Sequence, residues 1–336
     1  MSFDPHRRPA SRMYCSLSNN LPWSAFLQAR ALLDAGASSL EFVHEDVWTC
    51  RPAGADVEGA ALLVEVEAGS VSAAADGVTA VYRSGAGGLP NLRIPPNSRV
   101  DATLATACRV YLPVLIGAAL AKRAGKSFVA GHVTQTLDGR IACENGQSQW
   151  IGNTADQHHS HRMRALLEGV MIGANTALHD DPALTVRHVA GTNPRRVVVS
   201  GRGRVFTEDR ELAMMSHPGC EIFVQATQEA ASTDETVYVN RVASVDGQLP
   251  PASILASLRG RGVHSIYLEG GAGILSSFLQ AQSIDLLQIH IASMILGAGL
   301  PSLRLPAVDH VDDGMHMHMD HAILDGHVLL TCSRRS

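Results

Sequence analysis

Residues 264–292 read H-S-I-Y-L-E-G-G-A-G-I-L-S-S-F-L-Q-A-Q-S-I-D-L-L-Q-I-H-I-A. The short apolar run over 264–268 predicts a strand ending in Glu269-Gly270-Gly271, followed by a helix over 272–281 and a second strand over 286–292. Outward from this unit the alternation repeats. Strands are predicted over 127–133, 169–172, 196–199, 221–225, 237–242 and 327–332. Helices are predicted over 154–168, capped by Asn153 or Thr154, and around 254–258. Strands alternating with helices specify an α/β domain on a mainly parallel sheet, and such sheets bind ligands at the carboxyl ends of their strands.

The first 125 residues carry a weaker pattern. Pro22 opens a helix on which Trp23, Phe26, Leu27, Ala31 and Leu32 recur at helical spacing, and Gly36 closes it. Strand-like runs follow over 40–43, 62–66 and 78–82, and S-G-A-G-G-L-P-N-L-R-I-P-P (84–96) reads as a loop. Asp101 caps a helix reaching Cys108, and Pro113 opens another that Gly125 closes. Two units are therefore expected: a smaller α+β region over 1–125 and the α/β domain over 126–336.

Composition narrows the function classes. The 336 residues suffice for about two domains, and a net charge of −5 from 27 basic and 32 acidic residues shows none of the basic stripe of a nucleic-acid binder. The longest apolar run, V-Y-L-P-V-L-I-G-A-A-L (110–120), falls short of the ~20 residues of a membrane span, and the N-terminus carries no apolar leader. Six scattered cysteines without a C-x-x-C pair fit reduced thiols. A cytoplasmic, enzyme-sized protein is expected, with neither nucleic acid nor membrane as a partner.

Three groups of residues carry chemistry. Gly270, Gly271 and Gly273 sit between a strand and a helix, where missing Cβ atoms let a phosphate approach the N–H groups of a helix start; the alternative is a plain tight turn. Glu269 beside them is a carboxylate suited to an N–H or O–H donor. Helical spacing puts Arg164 on the face of Ser160 and Glu168, an anion clamp or a solvated face. Asp180-Asp181-Pro182 reads as turn capping rather than a metal site. The histidines of 158–161 and 316–321 lack cysteine partners, so no metal is expected.

These strings, taken in order, resemble the pyrimidine reductase domain of the bifunctional deaminase/reductases of riboflavin biosynthesis, over residues 126–332. The resemblance rests on T-L-D-G-R-I-A (136–142), S-Q-W-I (148–151), R-A-L-L-E (164–168), G-A-N-T-A-L-H-D-D-P-A-L-T-V-R (173–187), P-R-R-V-V-V (194–199), L-E-G-G-A (268–272) and D-L-L-Q-I…I-L-G-A-G (285–299). It implies a dihydrofolate-reductase-like fold, NADPH as hydride donor, a phosphorylated ribosylaminopyrimidine as substrate and a homodimer. Ser148, Arg164, Leu184, Arg187 and Glu269 match the substrate-contacting positions, with Glu269 also a candidate catalytic group. Asp138 and water remain alternative proton donors. Thr134, Trp150, Thr176, Asp180, Gly271, Ala272, Gly273, Ile274, Leu275, Ser276 and Ser277 match the cofactor-contacting positions.

The departures are specific. A family lysine is replaced by His132 at the substrate site, exchanging a fixed cation for a ring that is mostly neutral at pH 7. Gly201 replaces a side chain, and Arg202 and Arg204 stand nearby as candidates for a 2′-phosphate. Residues 1–125 contain neither the H-x-E nor the P-C-x-x-C of a zinc deaminase, so no deamination is expected of them. Two other readings stay open: a paralogous NADPH reductase of another pterin, pyrimidine or secondary-metabolite precursor, and a catalytically silent nucleotide-binding protein.

Overall fold

A nine-stranded sheet forms the centre of the computed structural model, whose described residues are 23–37, 39–44, 48–52, 60–65, 79–81, 102–149, 151–207, 212–229 and 237–334. Pro22, Asp101, Trp150 and the 84–96 loop lie outside them. The first part of the chain comprises α1 (Trp23–Asp34), β1 (Ser39–His44), β2 (Trp48–Pro52), β3 (Ala60–Glu65), β4 (Thr79–Val81) and α2 (Ala102–Arg123). Its strands form a separate sheet in the order β2-β1-β3-β4, antiparallel except for β3 against β4.

Helix α2 runs without a break through Pro113, where the sequence suggested two helices. An interior proline removes one backbone hydrogen bond and crowds the preceding turn, at a cost of about 3 kcal/mol. Burial outweighs that cost: Leu104, Tyr111, Leu112, Val114, Leu115 and Ile116 are all at most 3% exposed. The helix is long and apolar enough to cross a membrane, yet it packs on α1 and on the elements that follow. At Gly117 an added Cβ would run into the Phe128 ring. Gly117→Val is therefore expected to lower the free energy of unfolding by about 2 kcal/mol, read from urea denaturation.

The rest of the chain runs β5 (Phe128–Gln135), β6 (Arg140–Ala142), α3 (Thr154–Leu166), β7 (Gly169–Gly173), α4 (Ala174–Asp180), β8 (Arg195–Val199), β9 (Cys220–Gln225) and β10 (Val237–Val242). It continues through α5 (Pro251–Gly260), β11 (Ser265–Glu269), α6 (Ala272–Gln280), β12 (Leu286–Ile291), β13 (Leu300–Pro301), β14 (Met317–Leu324) and β15 (His327–Arg334). The large sheet has the order β10-β9-β8-β7-β11-β5-β12-β15-β14. Its pairs are parallel from β10 to β12, and only β15 and β14 run antiparallel. The expected α/β class with a mainly parallel sheet is observed.

Each face of the sheet has its own apolar cluster. Phe128, Ala130 and Tyr267 look toward α1, α2 and α3, while Val129, Val133, Ile266 and Leu268 look toward α5 and α6. In chain order residue 125 falls between the strands of the two sheets, yet α1 and α2 share an apolar cluster with α3. The indole of Trp23 donates to the Ala190 carbonyl at 2.8 Å, Arg30 donates to the Ala165 carbonyl, and Lys122 reaches Glu168 at 2.8 Å. Glu168 stands beyond the end of α3, off the face proposed for it, and accepts from the N–H groups of His264 and Ser265.

Candidate active site

Three positions of α3, spaced four residues apart, meet the central strands in turn. Asp156, Ser160 and Arg164 share one helix face. Opposite them the strand register aligns Glu269 with His132, Gln288 with His132 and His290 with Thr134, so these side chains share one face of the sheet. Thr134 donates to Asp156 Oδ2 at 2.7 Å, and Tyr267 donates to Ser160 Oγ at 3.3 Å. Arg164 donates to both carboxylate oxygens of Glu269, at 3.0 and 2.6 Å, and to the Thr185 carbonyl at 3.1 Å. Arg164 is thus the fixed partner of Glu269, because a buried guanidinium and a partly buried carboxylate at this distance neutralise one another. The two expected ligand contacts are a pair in this structure.

At the carboxyl ends of β5, β7, β8 and β11 lies a cavity of about 830 Å³. Of the residues singled out in the sequence, His132, Thr134, Ser148, Thr176, Asp180, Glu269, Gly271, Ala272, Gly273, Ile274 and Ser277 line it. Gly201, Arg202 and Arg204 line it as well, with Arg204 donating to Asn175 Oδ1 at 2.6 Å. Arg164, Leu184, Arg187, Leu275 and Ser276 do not. Leu184 is buried in a left-handed conformation (φ +53). Arg187 points its guanidinium at Thr185 Oγ1, 2.9 Å away, while Ser276 Oγ accepts from the Arg304 N–H. Arg164, Leu184, Leu275 and Ser276 are buried, whereas Arg187 is exposed.

The structure also adds residues that the sequence reading passed over. Asp156, Gln157 and Arg304 join the lining, and Ser160 faces the cavity rather than water. The α3 spacing from Arg164 back through Ser160 to Asp156 was the available signal. Asp138 lies elsewhere. Hydrogen bonds from the Thr136 hydroxyl and from the Leu296 and Gly297 N–H groups pull its carboxyl down to about 2 and tie it to a loop.

The glycine turn fits an anionic ligand. Gly271 has φ +80, and an added Cβ would meet Thr176 Oγ1 at 2.9 Å; at Gly270 (φ +68) and Gly273 an added Cβ would meet nothing within 4 Å. Backbone can therefore be approached closely, and the first N–H groups of α6 have no side-chain cap.

Beneath the cavity the electrostatics are unusual. Burial pushes the Asp156 carboxyl up, but the facing His132, with His290 and Thr134, outweighs it and holds the group well below the usual carboxylate range. Burial pulls His290 down to about 4 and, with the charge of Arg164 adding to it, His161 down to about 3. Both rings are thus neutral when folded, and unfolding lets them take protons from pH 6.5 downward. Between pH 6.5 and 4 the unfolded chain binds more protons, so stability falls as the pH is lowered. His290 alone is expected to remove about 3 kcal/mol by pH 4. A urea midpoint that stays flat over that interval contradicts the assignment.

Comparison with known proteins places this geometry. The model of a family described as the RibD C-terminal domain matches residues 127–320. The riboflavin biosynthesis protein RibD of Corynebacterium ammoniagenes is 32% identical over 183 residues, 52% of this chain and 47% of that protein. The 2,5-diamino-6-ribosylamino-4(3H)-pyrimidinone 5′-phosphate reductase of Methanothermobacter thermautotrophicus is 33% identical over 178 residues, 51% of this chain and 80% of that one. The chain spans about half the length of the RibD relatives it matches. A deaminase/5-amino-6-(5-phosphoribosylamino)uracil reductase of Thermotoga maritima superposes with a TM-score of 0.60 at 19% identity, covering 94% of this chain and 99% of that one. At that identity the likeness concerns fold, and its coverage extends well into the first 125 residues, where the family match stops.

Proposed function

The chain belongs to the RibD C-terminal domain family, and from that membership we propose that it is a nicotinamide-dependent reductase of a phosphorylated ribosylaminopyrimidine, converting the ribosyl group to ribityl. One observation carries the reading: the 830 Å³ cavity sets an open glycine turn on one wall against the polar face of α3 on the other. When bound, a reduced nicotinamide supplies the hydride that reaches the sugar C1′. The residues suited to hold it are Thr134, Thr176, Asp180, Gly271, Ala272, Gly273, Ile274 and Ser277, all of which line the cavity. The Arg202 and Arg204 side chains at the rim favour NADPH, since two guanidinium groups answer a 2′-phosphate. Trp150, the remaining cofactor position, lies outside the described residues.

On the substrate side the chain offers Ser148 and the Arg164-oriented Glu269. His132 makes the floor of the site an imidazole–carboxylate pair with Asp156, 3.4 Å apart, where the family pattern has a lysine. That pair favours a second reading, a paralogue selecting a different pyrimidine or pterin. The proposal covers reduction alone, as residues 1–125 lack the deaminase pair of motifs.

The deciding experiment mixes purified protein, NADPH and the deaminated phosphoribosylaminopyrimidine and follows nicotinamide absorbance. Oxidation that depends on the pyrimidine is the expected result. Tight NADPH binding without oxidation transfers the reading to the paralogue, and absence of NADPH binding defeats both. A homodimer is proposed as well, supported by the family and by the edge position of β14, where Met319 is 64% exposed. Light scattering at the mass of one chain refutes it.

A further inference from the structure

Three polar atoms under the cavity floor are buried without a hydrogen bond: His132 Nε2, Asp156 Oδ1 and His290 Nδ1. They converge, because Asp156 Oδ1 lies 3.4 Å from His132 Nε2 and 3.1 Å from His290 Nδ1. Buried polar atoms ordinarily find partners, since leaving one unpaired costs about 1–3 kcal/mol. Two ring nitrogens thus face one carboxylate oxygen, each within ion-pair distance of it, an arrangement across which a proton can be exchanged. The row continues outward: His290 Nε2 is 2.8 Å from Nδ1 of His327, a half-buried ring at the first position of β15. Inward, His132, Thr134 and Asp156 all line the cavity.

Resting on the reductase reading, we propose that His327, His290, Asp156 and His132 form a proton conduit that carries one proton per turnover from solvent to the cavity floor. The transfer balances at each step. A proton on His327 Nδ1 passes to His290 Nε2 as the proton on His290 Nδ1 passes to Asp156 Oδ1, so His290 ends neutral. Asp156, its Oδ2 held by the Thr134 hydroxyl, passes that proton from Oδ1 to His132 Nε2 as the other ring nitrogen of His132, Nδ1, gives its proton to the substrate's ring oxygen. There the C1′–oxygen bond opens and C1′ receives the hydride. The substrate gains one hydride and one proton and the hydride donor leaves oxidised; before the next turnover the conduit's imidazoles return to their starting tautomers, with Nδ1 of His290 protonated again, and water recharges His327.

The neighbours of the row keep it from storing charge. Tyr111 of α2, His159 and Arg162 of α3, Tyr267 of β11 and Gln288 of β12 surround it. His159 is held by Gln288 at 3.0 Å and Tyr111 at 3.2 Å, with its ring 5.4 Å from that of His132. Burial keeps His159 neutral and pulls His290 down to about 4, so His290 passes a proton rather than retains it.

The test uses the full chain carrying ¹⁵N-labelled histidine. In the wild type the buried His290 ring proton is expected to exchange rapidly with solvent, and in His327→Phe that exchange is lost. In turnover, His327→Phe is expected to lower kcat about tenfold or more with little change in KM and a larger solvent isotope effect. Added imidazole is expected to restore His327→Ala, which a merely structural role does not predict. Unchanged His290 exchange overturns the conduit, and so does an unchanged kcat and isotope effect in an enzyme that turns over. If His290 exchange depends on His327 but the wild type leaves the pyrimidine unreduced, the conduit stands and the reductase reading fails.

Discussion

Arg164→Met is expected to lower the free energy of unfolding by about 3–5 kcal/mol at neutral pH and to abolish turnover. Arg164 is 10% exposed and Glu269 17%, and the guanidinium makes three hydrogen bonds, two to Glu269 and one to the Thr185 carbonyl. Methionine keeps much of the volume but leaves a desolvated carboxylate without a counter-charge and a buried carbonyl without a donor. Breaking one side of such a pair costs far more than the pair contributes, because the surviving charge retains its desolvation penalty. The double variant Arg164→Met/Glu269→Leu is therefore expected to recover most of the stability and none of the activity. Urea denaturation of the single and double variants makes the measurement, and a single variant within about 1 kcal/mol of wild type contradicts the pairing.

Gly271→Val is expected to weaken NADPH binding by about a hundredfold or more, the loss of two or more backbone-anion contacts worth about 1.5 kcal/mol each. The residue occupies φ +80, which a β-branched side chain avoids, and its Cβ would sit 2.9 Å from Thr176 Oγ1. The turn must shift, and with it the N–H groups that open α6. Arg187→Ala makes the contrast, because its guanidinium holds Thr185 outside the cavity wall. That change is expected to leave cofactor binding intact and to act on the substrate side. Equal losses in the two variants, measured by fluorescence titration of NADPH, defeat this partition of the site.

Much of the fold was legible along the chain because local signals and tertiary packing agree there. The run 264–292 reads as strand, glycine turn, helix and strand, and the structure has β11, the turn, α6 and β12 in those places. Agreement failed where long-range burial overrode a local preference. Pro113 reads as a helix start, yet α2 passes through it because both flanks are packed. Residues 48–52, W-T-C-R-P, alternate only briefly and end on a proline, and they form β2 because pairing with β1 supplies the backbone partners. Among site residues, the glycine turn and Glu269 were legible because they sit where a strand ends, and Thr176 through the family resemblance of 173–187.

The partners of those residues were not legible. Helical spacing links Arg164 to Ser160 along one face, but nothing in the chain order says that Glu269, more than a hundred positions later, closes on that guanidinium. His290 and His327 carry no motif, and they join Asp156 only because β12 lies beside β5 and β15 beside β12. What the sequence by itself determined is the α/β alternation, the family and the open glycine turn with Glu269 at a strand end, because those depend on local spacing and backbone conformation. What only the tertiary structure decided is which charges neutralise one another and which polar atoms are left unpaired. Those outcomes follow from strand order and burial, which bring distant positions into a medium where one missing partner is costly.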